Sequence, residues 1–311
     1  MIPSCLCSVS KSTAVLRGEF WKGLHRAVKY AKMSGEGVVR TMIRLIATDL
    51  DGTLLDSQSE LSERTVRAVS QTMEAGAKFV LASGRMSEST GAFARQLSTN
   101  APIIAFNGAV AVDWRTGDTL FRRAISAESA RRVARMAEEL GIFIQYFPER
   151  GFFYEKRVPE VCDDYEGRIR MRGVELLKPL SGWIEKPAMK LLSLGENAKL
   201  IMLRDEILAE FPEISAMLSH PTYLEIVSAG VDKGAALRSV AECFGIPREE
   251  VAAFGDADND VQMLQYAGRG YAMESGDANV VAGAEFVAPS NDSDGVARVL
   301  EELLAQNEIG G

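Results

Sequence analysis

The sequence IRLIATDLDGTL, residues 43–54, decides how this chain is organised. A short apolar run ends in an acidic turn that contains glycine, which predicts a buried β-strand followed by a loop. In an open parallel sheet, ligands bind beyond the carboxyl ends of the strands, so Asp49 and Asp51 are placed at a candidate site. Side chains two residues apart in a strand point to the same face, and both carboxylates can therefore address one ligand.

Taken alone, this stretch also fits an ordinary strand followed by an acidic turn, because Asp and Gly are common turn residues. A calcium-binding EF-hand loop is excluded by its spacing, since that loop needs glycine at its sixth position and Leu54 stands there. The rest of the chain decides between the interpretations that are left.

The bulk composition indicates a soluble, acidic protein with two domains. The 311 residues are 47% hydrophobic, enough for a sizeable core, and the net charge of -8 argues against a nucleic-acid surface. No apolar run in the sequence is long enough to span a membrane. The four cysteines form neither a disulfide framework nor a zinc site; they are Cys5, Cys7, Cys162 and Cys243. We therefore expect the protein to be located in the reducing cytoplasm.

Residues 1–41 differ from the rest of the chain, because Lys and Arg outnumber Asp and Glu there and no strand-turn pattern appears. A basic segment poor in acidic residues is typical of a targeting presequence. The alternative, which we favour, is an extension upstream of the start site, since Met42 directly precedes the first predicted strand.

Strands and helices alternate after the acidic turn. A strand at 78–82 ends on Ser83-Gly84-Arg85, and a strand at 102–106 ends on Asn107-Gly108, with a predicted helix before each strand. The first of these helices is predicted to be capped by Ser62. Such alternation predicts a parallel sheet covered by helices on both faces. The polar strand ends would then meet at one edge of that sheet.

The alternation stops between residues 125 and 227, where aromatic residues cluster and helix-like and strand-like stretches follow in a different pattern. This change indicates a separate α+β domain inserted into the sheet domain. We therefore predict a core built from residues 42–124 and 228–311, and a cap domain at residues 125–227.

Lys233 opens a helix that Asp232 caps, which puts a positive charge at the positive end of the helix dipole. An unfavourable position without evident compensation marks a candidate functional residue. A bound phosphate dianion would supply the compensation, because the lysine and the helix amides would act on it together. A solvated surface lysine is the alternative.

A strand at 251–254 ends in GDADND, residues 255–260. Its three carboxylates and one amide, added to Asp49 and Asp51, give an oxygen-rich cluster suited to Mg²⁺. So much negative charge in one pocket is costly unless a metal or a proton balances it. An EF-hand is excluded again, because Val261 stands where glycine is required.

Two carboxylates, a magnesium site, a hydroxyl and a lysine together predict phosphoryl transfer through an aspartyl-phosphate. One carboxylate attacks phosphorus, and the other protonates the leaving oxygen and then deprotonates the hydrolytic water. A cysteine phosphatase is excluded although Cys162 and Arg168 have the required spacing, because acidic residues between them would raise the pKa of the thiol and repel phosphate.

From residue 42 to residue 311, the chain resembles the haloacid dehalogenase (HAD) superfamily of phosphatases, specifically its Cof-type, sugar-phosphatase-like branch. The resemblance implies a doubly wound, Rossmann-like parallel-sheet core with an α+β cap inserted between the second and third motifs. No expected catalytic position is substituted, and the N-terminal extension is the one departure. The first motif is Asp49-Leu50-Asp51-Gly52-Thr53, the second is Ser83, the third is Lys233 and the fourth is residues 255–260. Asn107-Gly108 also resembles the Asn-Gly that this branch carries after its third strand.

The resemblance implies catalytic roles for three residues: Asp49 as the nucleophile, Asp51 as the general acid and base, and Lys233 as the balancing cation. Ser83 and Gly84 would bind the transferring phosphate together with the lysine.

The resemblance also implies a ligand set for Mg²⁺. The Asp49 carboxylate, the Asp51 backbone carbonyl and Asp256 would hold the ion, and Asp260 would support the site. Asn259 would support it as well and would help to bind phosphate.

The function implied is a Mg²⁺-dependent phosphatase that hydrolyses a small phosphorylated metabolite, such as a sugar phosphate, in the cytoplasm. No nucleic-acid or membrane partner is expected. A phosphomutase on the same core and a non-catalytic phosphometabolite-binding protein are the alternatives that the residues leave open.

Overall fold

The structure is a computed structural model that describes residues 41–169 and 171–311. The predicted N-terminal extension, apart from residue 41, lies outside the described residues. Within the described chain, no helix combines the length and the apolar character that a bilayer crossing needs.

The described chain contains the strands and α-helices that follow, each set given in chain order. The strands are β1 Leu45–Thr48, β2 Lys78–Leu81, β3 Ile103–Ala105, β4 Val110–Val112, β5 Thr119–Arg122, β6 Phe143–Phe147, β7 Phe153–Tyr154, β8 Val174–Glu175, β9 Lys190–Leu194, β10 Ile214–His220, β11 Tyr223–Ser228, β12 Val251–Gly255, β13 Arg269–Met273 and β14 Phe286–Ala288. The α-helices are α1 Glu63–Glu74, α2 Ser87–Leu97, α3 Ala127–Glu139, α4 Pro159–Ile169, α5 Asn197–Glu210, α6 Lys233–Cys243, α7 Val261–Tyr266, α8 Ala278–Gly283 and α9 Gly295–Ala305.

Five strands form an all-parallel sheet in the order β14-β13-β12-β1-β2. All four residues of β1 are buried, because the strand has a neighbour on each side and helices on both faces. Leu45 of β1 lies opposite Val251 of β12 and Lys78 of β2, so these three strands end at the same edge. The predicted doubly wound parallel sheet is confirmed.

The third predicted strand joins this sheet in a way that the sequence did not indicate. A single parallel bridge between Ala82, the residue after β2, and Ile104 connects β3 to β2. Strand β3 then pairs antiparallel with β4, and β4 pairs antiparallel with β5. Neither β4 nor β5 was predicted. Both are short, and β5 lies mostly exposed at the edge of its sheet, so the apolar signal that identifies a strand is weak there.

The segment between the two halves of the parallel sheet builds its own six-stranded sheet, in the order β10-β11-β9-β6-β7-β8. Helices α3 and α5 pack on one face with a separate apolar core, and α4 packs on the aromatic residues of the other face. The sequence indicated an α+β segment here, but it did not predict β10, and it indicated only a polar region where α4 lies. The domain boundaries and the action of this segment as a cap stay predictions.

Two predicted helix caps position the polar loops. Ser62 accepts a hydrogen bond from the Thr65 amide at the start of α1, and Asp232 accepts one from the Ala235 amide at 2.7 Å at the start of α6. Each cap satisfies an amide that has no partner within its helix. The cap at Asp232 fixes the first residue of α6, which is Lys233.

Gly108 fixes the distance between the loop after β3 and the start of α6. Its φ is +102°, and a Cβ atom there would lie 2.2 Å from the Asp232 carbonyl oxygen. We expect Gly108→Ala to lower the free energy of unfolding by about 2 kcal/mol or more, measured by urea denaturation.

Gly141→Ala is the matched control, because Gly141 has a φ of +63° but no atom within 4 Å of the added Cβ. It should cost only about 1 kcal/mol, the conformational penalty alone. Equal losses in the two variants would show that the close approach of Gly108 to Asp232 is unimportant.

Candidate active site

Three strand ends place polar residues at one edge of the parallel sheet. Asp49 follows β1, Ser83 lies two residues after β2, and Asp256 follows β12. The Asp49 amide donates to the Phe254 carbonyl at 3.0 Å, and the Ser83 amide donates to the Ile104 carbonyl at 2.9 Å. The ladder hydrogen bonds of neighbouring strands therefore continue into these loops and hold them in register.

Lys233 connects two of these loops. Its ammonium group lies 2.8 Å from Oδ1 of Asp49 and 2.6 Å from Oδ1 of Asp260. All three side chains are buried, and that of Lys233 has no exposed surface. The lysine is therefore not the solvated residue of the alternative interpretation, since its charge is balanced by two carboxylates instead of by water.

The loop after β12 is organised by Asp260. Its Oδ2 atom accepts from the amides of Asp256 and Ala257, at 3.0 and 3.2 Å, while Oδ1 accepts from Lys233. Thr53, from the loop after β1, donates its hydroxyl to Asp256 Oδ1 at 2.7 Å. The first and fourth sequence motifs are therefore in direct contact.

Asp49, Asp256 and Asp260 form an acidic cluster in which one oxygen of each lies within 4.8 Å of the others. Burial, reinforced by the neighbouring carboxylates and opposed by Lys233, raises the pKa of Asp49 to about 8. Burial likewise raises the pKa of Asp256 to about 6. The charge of one lysine does not balance this cluster, and its oxygen donors fit a divalent cation.

Asp51 is not part of the acidic cluster. Its carboxylate accepts two hydrogen bonds from the Arg85 guanidinium, at 2.7 and 2.5 Å, and about half of its side chain is exposed. Arg85 is largely covered, and its guanidinium lies 5.2 Å from the centre of the Phe93 ring. A bidentate pair of this kind fixes the orientation of the carboxylate as well as its position.

Arg85 was not among the predicted site residues. The signal was present, since Arg85 completes the Ser-Gly-Arg strand end, but a sequence does not show which of several carboxylates an arginine will contact. Its neighbour Ser83 has a buried hydroxyl that accepts from the Arg85 amide at 3.1 Å.

The remaining predicted phosphate-binding residues meet around Asn107. Asn259 donates its amide hydrogen to Asn107 Oδ1 at 3.0 Å. Gly84 lies so close that a Cβ on it would be 2.9 Å from the same oxygen. Asn107 also donates to Glu225 of the inserted segment at 3.4 Å, a contact that the sequence did not predict. The inserted segment therefore reaches this edge of the parallel sheet.

The cysteine alternative has no support in the structure. Cys162 is buried in α4, and burial raises the pKa of its thiol. A protonated, buried thiol is a poor nucleophile.

The sequence profile of the haloacid dehalogenase-like hydrolases matches residues 46–300, most of the chain. The chain belongs to this family. The resemblance that the motifs indicated is thus confirmed, and the acidic cluster, Lys233 and the Ser83 loop all lie within the matched range.

Relatives of this HAD-like chain include two proteins named as 5-amino-6-(5-phospho-D-ribitylamino)uracil phosphatases. The one from Bacillus subtilis is 27% identical over 283 residues, covering 84% of this chain and 97% of the relative. The one from Escherichia coli is 28% identical over 277 residues, covering 84% and 96%. These relatives and the family support the predicted class of enzyme, a phosphoric monoester hydrolase.

Among solved structures, a haloacid dehalogenase-like hydrolase from Bacteroides thetaiotaomicron superposes with a TM-score of 0.79 at 29% identity. The match covers 84% of the HAD-like chain and 99% of that structure. It includes the inserted segment as well as the parallel sheet, since so much of both chains is covered.

The raised pKa of Asp49 has a consequence for stability. A carboxyl group whose pKa rises from 3.8 when unfolded to about 8 when folded stabilises the fold while it is protonated. That contribution is lost as the pH rises toward the folded pKa. Without divalent cations, we expect the free energy of unfolding to fall between about pH 5 and pH 8 more steeply than in Asp49→Asn, which cannot ionise.

Urea denaturation followed by circular dichroism at several pH values measures this difference, and a divalent cation should remove it by balancing the ionised carboxylate. Parallel pH profiles for the two proteins would show that Asp49 is already ionised in the folded chain without metal.

Proposed function

We propose that this chain is a Mg²⁺-dependent phosphatase that hydrolyses a small phosphorylated metabolite through an aspartyl-phosphate on Asp49. The observation that carries the proposal is the pairing of buried Asp49 with Lys233 at a strand end. Asp51, two residues after Asp49 in the chain, is held separately by Arg85. Two carboxylates in such different surroundings are suited to two different tasks.

In the first step, an Asp49 oxygen bonds to phosphorus while the bond from phosphorus to the leaving oxygen breaks. Asp51 acts as the general acid and gives that oxygen a proton. In the second step, Asp51 takes a proton from water, the water oxygen bonds to phosphorus, and the bond from phosphorus to Asp49 breaks. Phosphate leaves, and both carboxylates return to their starting states.

One cation and several hydrogen-bond donors would stabilise the negative charge of the transferring phosphoryl group. Lys233 supplies an ammonium group, and Ser83, Gly84 and Asn259 supply a hydroxyl, a backbone amide and a side-chain amide. Lys233 also holds Asp49 through its 2.8 Å contact, which restricts the direction in which the carboxylate can attack.

The Asp49 and Asp256 carboxylates and the Asp51 backbone carbonyl would hold Mg²⁺. The ion would balance the acidic cluster and the phosphate charge, chemistry that a hard divalent cation with oxygen ligands supplies. Asp260 has less capacity for the ion, because its oxygens already accept from Lys233 and two backbone amides. This supports the predicted role of Asp260 as a supporting residue rather than a ligand.

The substrate that we propose is a phosphorylated sugar or polyol metabolite in the cytoplasm. The two relatives named above are phosphatases of a phosphorylated ribitylamino compound, which has such a chain. The inserted segment would act as a cap over the leaving group, and the contact between Glu225 and Asn107 supports its approach to the site. Closure would exclude bulk water from the phosphoenzyme.

Phosphate release from sugar phosphates, polyol phosphates, nucleotides and p-nitrophenyl phosphate, with and without Mg²⁺, tests this function. We expect release that depends on Mg²⁺ and that falls by at least about a thousandfold in Asp49→Asn, because the nucleophile is lost. The matched control is Asp205→Asn, which removes an exposed carboxylate of the inserted segment and should keep full activity.

Isomerised phosphosugars without phosphate release would identify a phosphomutase, and binding without turnover would identify a non-catalytic binding protein. Either result would refute the phosphatase proposal. Activity that survives Asp49→Asn in pure protein would refute the assignment of the nucleophile.

We also propose that Arg85 is a positioning residue for Asp51. Arg85→Lys keeps the charge but loses the two parallel hydrogen bonds, so we expect kcat to fall about tenfold to a hundredfold with little change in KM. The loss should be larger for alkyl phosphates than for p-nitrophenyl phosphate, whose leaving group needs less help from an acid.

Arg44→Lys is the control, because Arg44 pairs with Glu250 at 3.0 Å near the opposite ends of the strands. Equal losses for both kinds of substrate in Arg85→Lys would show that Arg85 does not act through Asp51.

A further inference from the structure

One face of the inserted six-stranded sheet meets the loop after β3 at two points. Phe147 of β6 contacts Phe106, with ring centres 6.4 Å apart, and Glu225 of β11 accepts a hydrogen bond from Asn107 at 3.4 Å. Phe106 and Asn107 both have positive φ angles, +52° and +56°, in the turn directly after β3. This face of the inserted sheet therefore lies beside the predicted phosphate-binding residues.

The burial pattern of β11 places Glu225 on the accessible face of that strand. Leu224 and Ile226, its neighbours in the chain, point to the opposite face and are buried in the apolar core under α3 and α5. The Glu225 side chain keeps 24% of its surface exposed. A molecule bound beside Asn107 can therefore reach the Glu225 carboxylate.

A buried lysine holds the Glu225 carboxylate through its other oxygen. Lys190 Nζ lies 3.6 Å from Glu225 Oε1 and 5.1 Å from the centre of the Phe147 ring, and its side chain is only 5% exposed. Burial lowers the pKa of Lys190, but the charge of Glu225 and the contact with Tyr165 outweigh this effect and raise the pKa above its usual value. The pair is therefore neutral as a unit and needs no further cation.

These partners leave part of the Glu225 carboxylate able to accept further hydrogen bonds. An ionised carboxylate has about four lone-pair sites and no donor. Asn107 donates to one oxygen and Lys190 lies at the other, so the exposed part can accept from a hydroxyl group of a bound molecule. An anionic group at the same place would be repelled.

Asn107 sets the distance between Glu225 and the predicted phosphate site. Its Nδ2 atom donates to Glu225, while its Oδ1 atom accepts from Asn259, which the proposed function assigns to phosphate. Only one side chain separates the two residues. A hydroxyl on a carbon close to the phosphoester would therefore reach Glu225 when the phosphate lies beside Asn259.

We propose that Glu225 determines specificity by accepting a hydrogen bond from a leaving-group hydroxyl close to the phosphoester, and by disfavouring a carboxylate at that place. The inference rests on the proposed phosphatase function and narrows its substrates to esters with a hydroxylated, uncharged leaving group. Lys190 acts through Glu225 by holding its carboxylate, and Asn107 fixes the distance of that carboxylate from the phosphate.

Three phosphate monoesters with the same three-carbon skeleton test this role, with the full chain and Mg²⁺. Propyl phosphate has no hydroxyl group, glycerol 3-phosphate has two, and 3-phosphoglycerate has one hydroxyl and a terminal carboxylate. We expect kcat/KM for glycerol 3-phosphate to exceed the values for the other two compounds at least about tenfold, the range of a hydrogen bond to a charged group.

Glu225→Gln keeps the shape of the side chain and removes its charge. The ratio of kcat/KM for glycerol 3-phosphate to that for propyl phosphate should fall about tenfold or more. The relative rate with 3-phosphoglycerate should rise, because Lys190 then lacks its carboxylate partner. Glu206→Gln is the matched control and should leave the ratios unchanged, since Glu206 is exposed on α5, at the opposite face of the same sheet.

The double variant Lys190→Met/Glu225→Gln covers the case in which the single variant folds poorly, because it leaves no buried ammonium group without a partner. It should lose the preference for glycerol 3-phosphate without gaining activity toward 3-phosphoglycerate. Unchanged ratios in these variants, or an equal loss with all three compounds, would overturn the proposal, because a merely structural residue does not distinguish the compounds.

Failure of the phosphatase function is a separate outcome. If the wild-type chain releases phosphate from none of the compounds, the same three are titrated into the same proteins with Mg²⁺ by calorimetry. Tighter binding of glycerol 3-phosphate than of propyl phosphate, removed by Glu225→Gln, would support the role of Glu225 by itself. Equal binding of the compounds, or no binding, would overturn it.

Discussion

The arrangement of this site depends on one buried ammonium group. Lys233 enters from the first turn of α6 and contacts carboxylates from two different strand ends, Asp49 and Asp260. An ammonium group without exposed surface is stable only with such partners, so the lysine and the two loops constrain one another. Asp260 passes the constraint on through the amides of Asp256 and Ala257, which fixes the loop after β12.

Surroundings, more than sequence position, distinguish the two carboxylates of the first motif. Asp49 is buried beside a lysine and other carboxylates, and its pKa is raised to about 8, mainly by burial. Asp51, two residues later, is half exposed and held by the planar guanidinium of Arg85. Asp49 needs a cation to balance its charge when it ionises, whereas Asp51 is held in a fixed orientation on the exposed side of the site. This contrast is the physical basis for giving them different chemical tasks.

Local signals predicted the fold well wherever one element could be recognised by itself. The buried parallel strands are apolar runs, and the caps at Ser62 and Asp232 lie where the sequence indicated. Prediction failed for the β4–β5 pair because strands of three and four residues carry little periodicity and β5 is mostly exposed. It failed as well for β10, an edge strand whose pairing with β11 contains a register shift. Helix α4 was missed because its sequence is rich in polar residues. Its contact with the sheet, through Tyr165 on Phe147 of β6, is visible only in the folded chain.

The sequence by itself determined the chemical inventory of the site: the acidic turn, the Ser-Gly-Arg and Asn-Gly strand ends, the capped lysine and the second acidic loop. Their order along the chain and the alternation of strands and helices placed them at one edge of a parallel sheet. Only the tertiary structure decided which charges meet. Arg85 pairs with Asp51, Glu225 reaches Asn107, and the acidic cluster contains Asp260. Such contacts join residues far apart in the chain, and the strength of a charge pair depends on distance and burial, which only the folded chain defines.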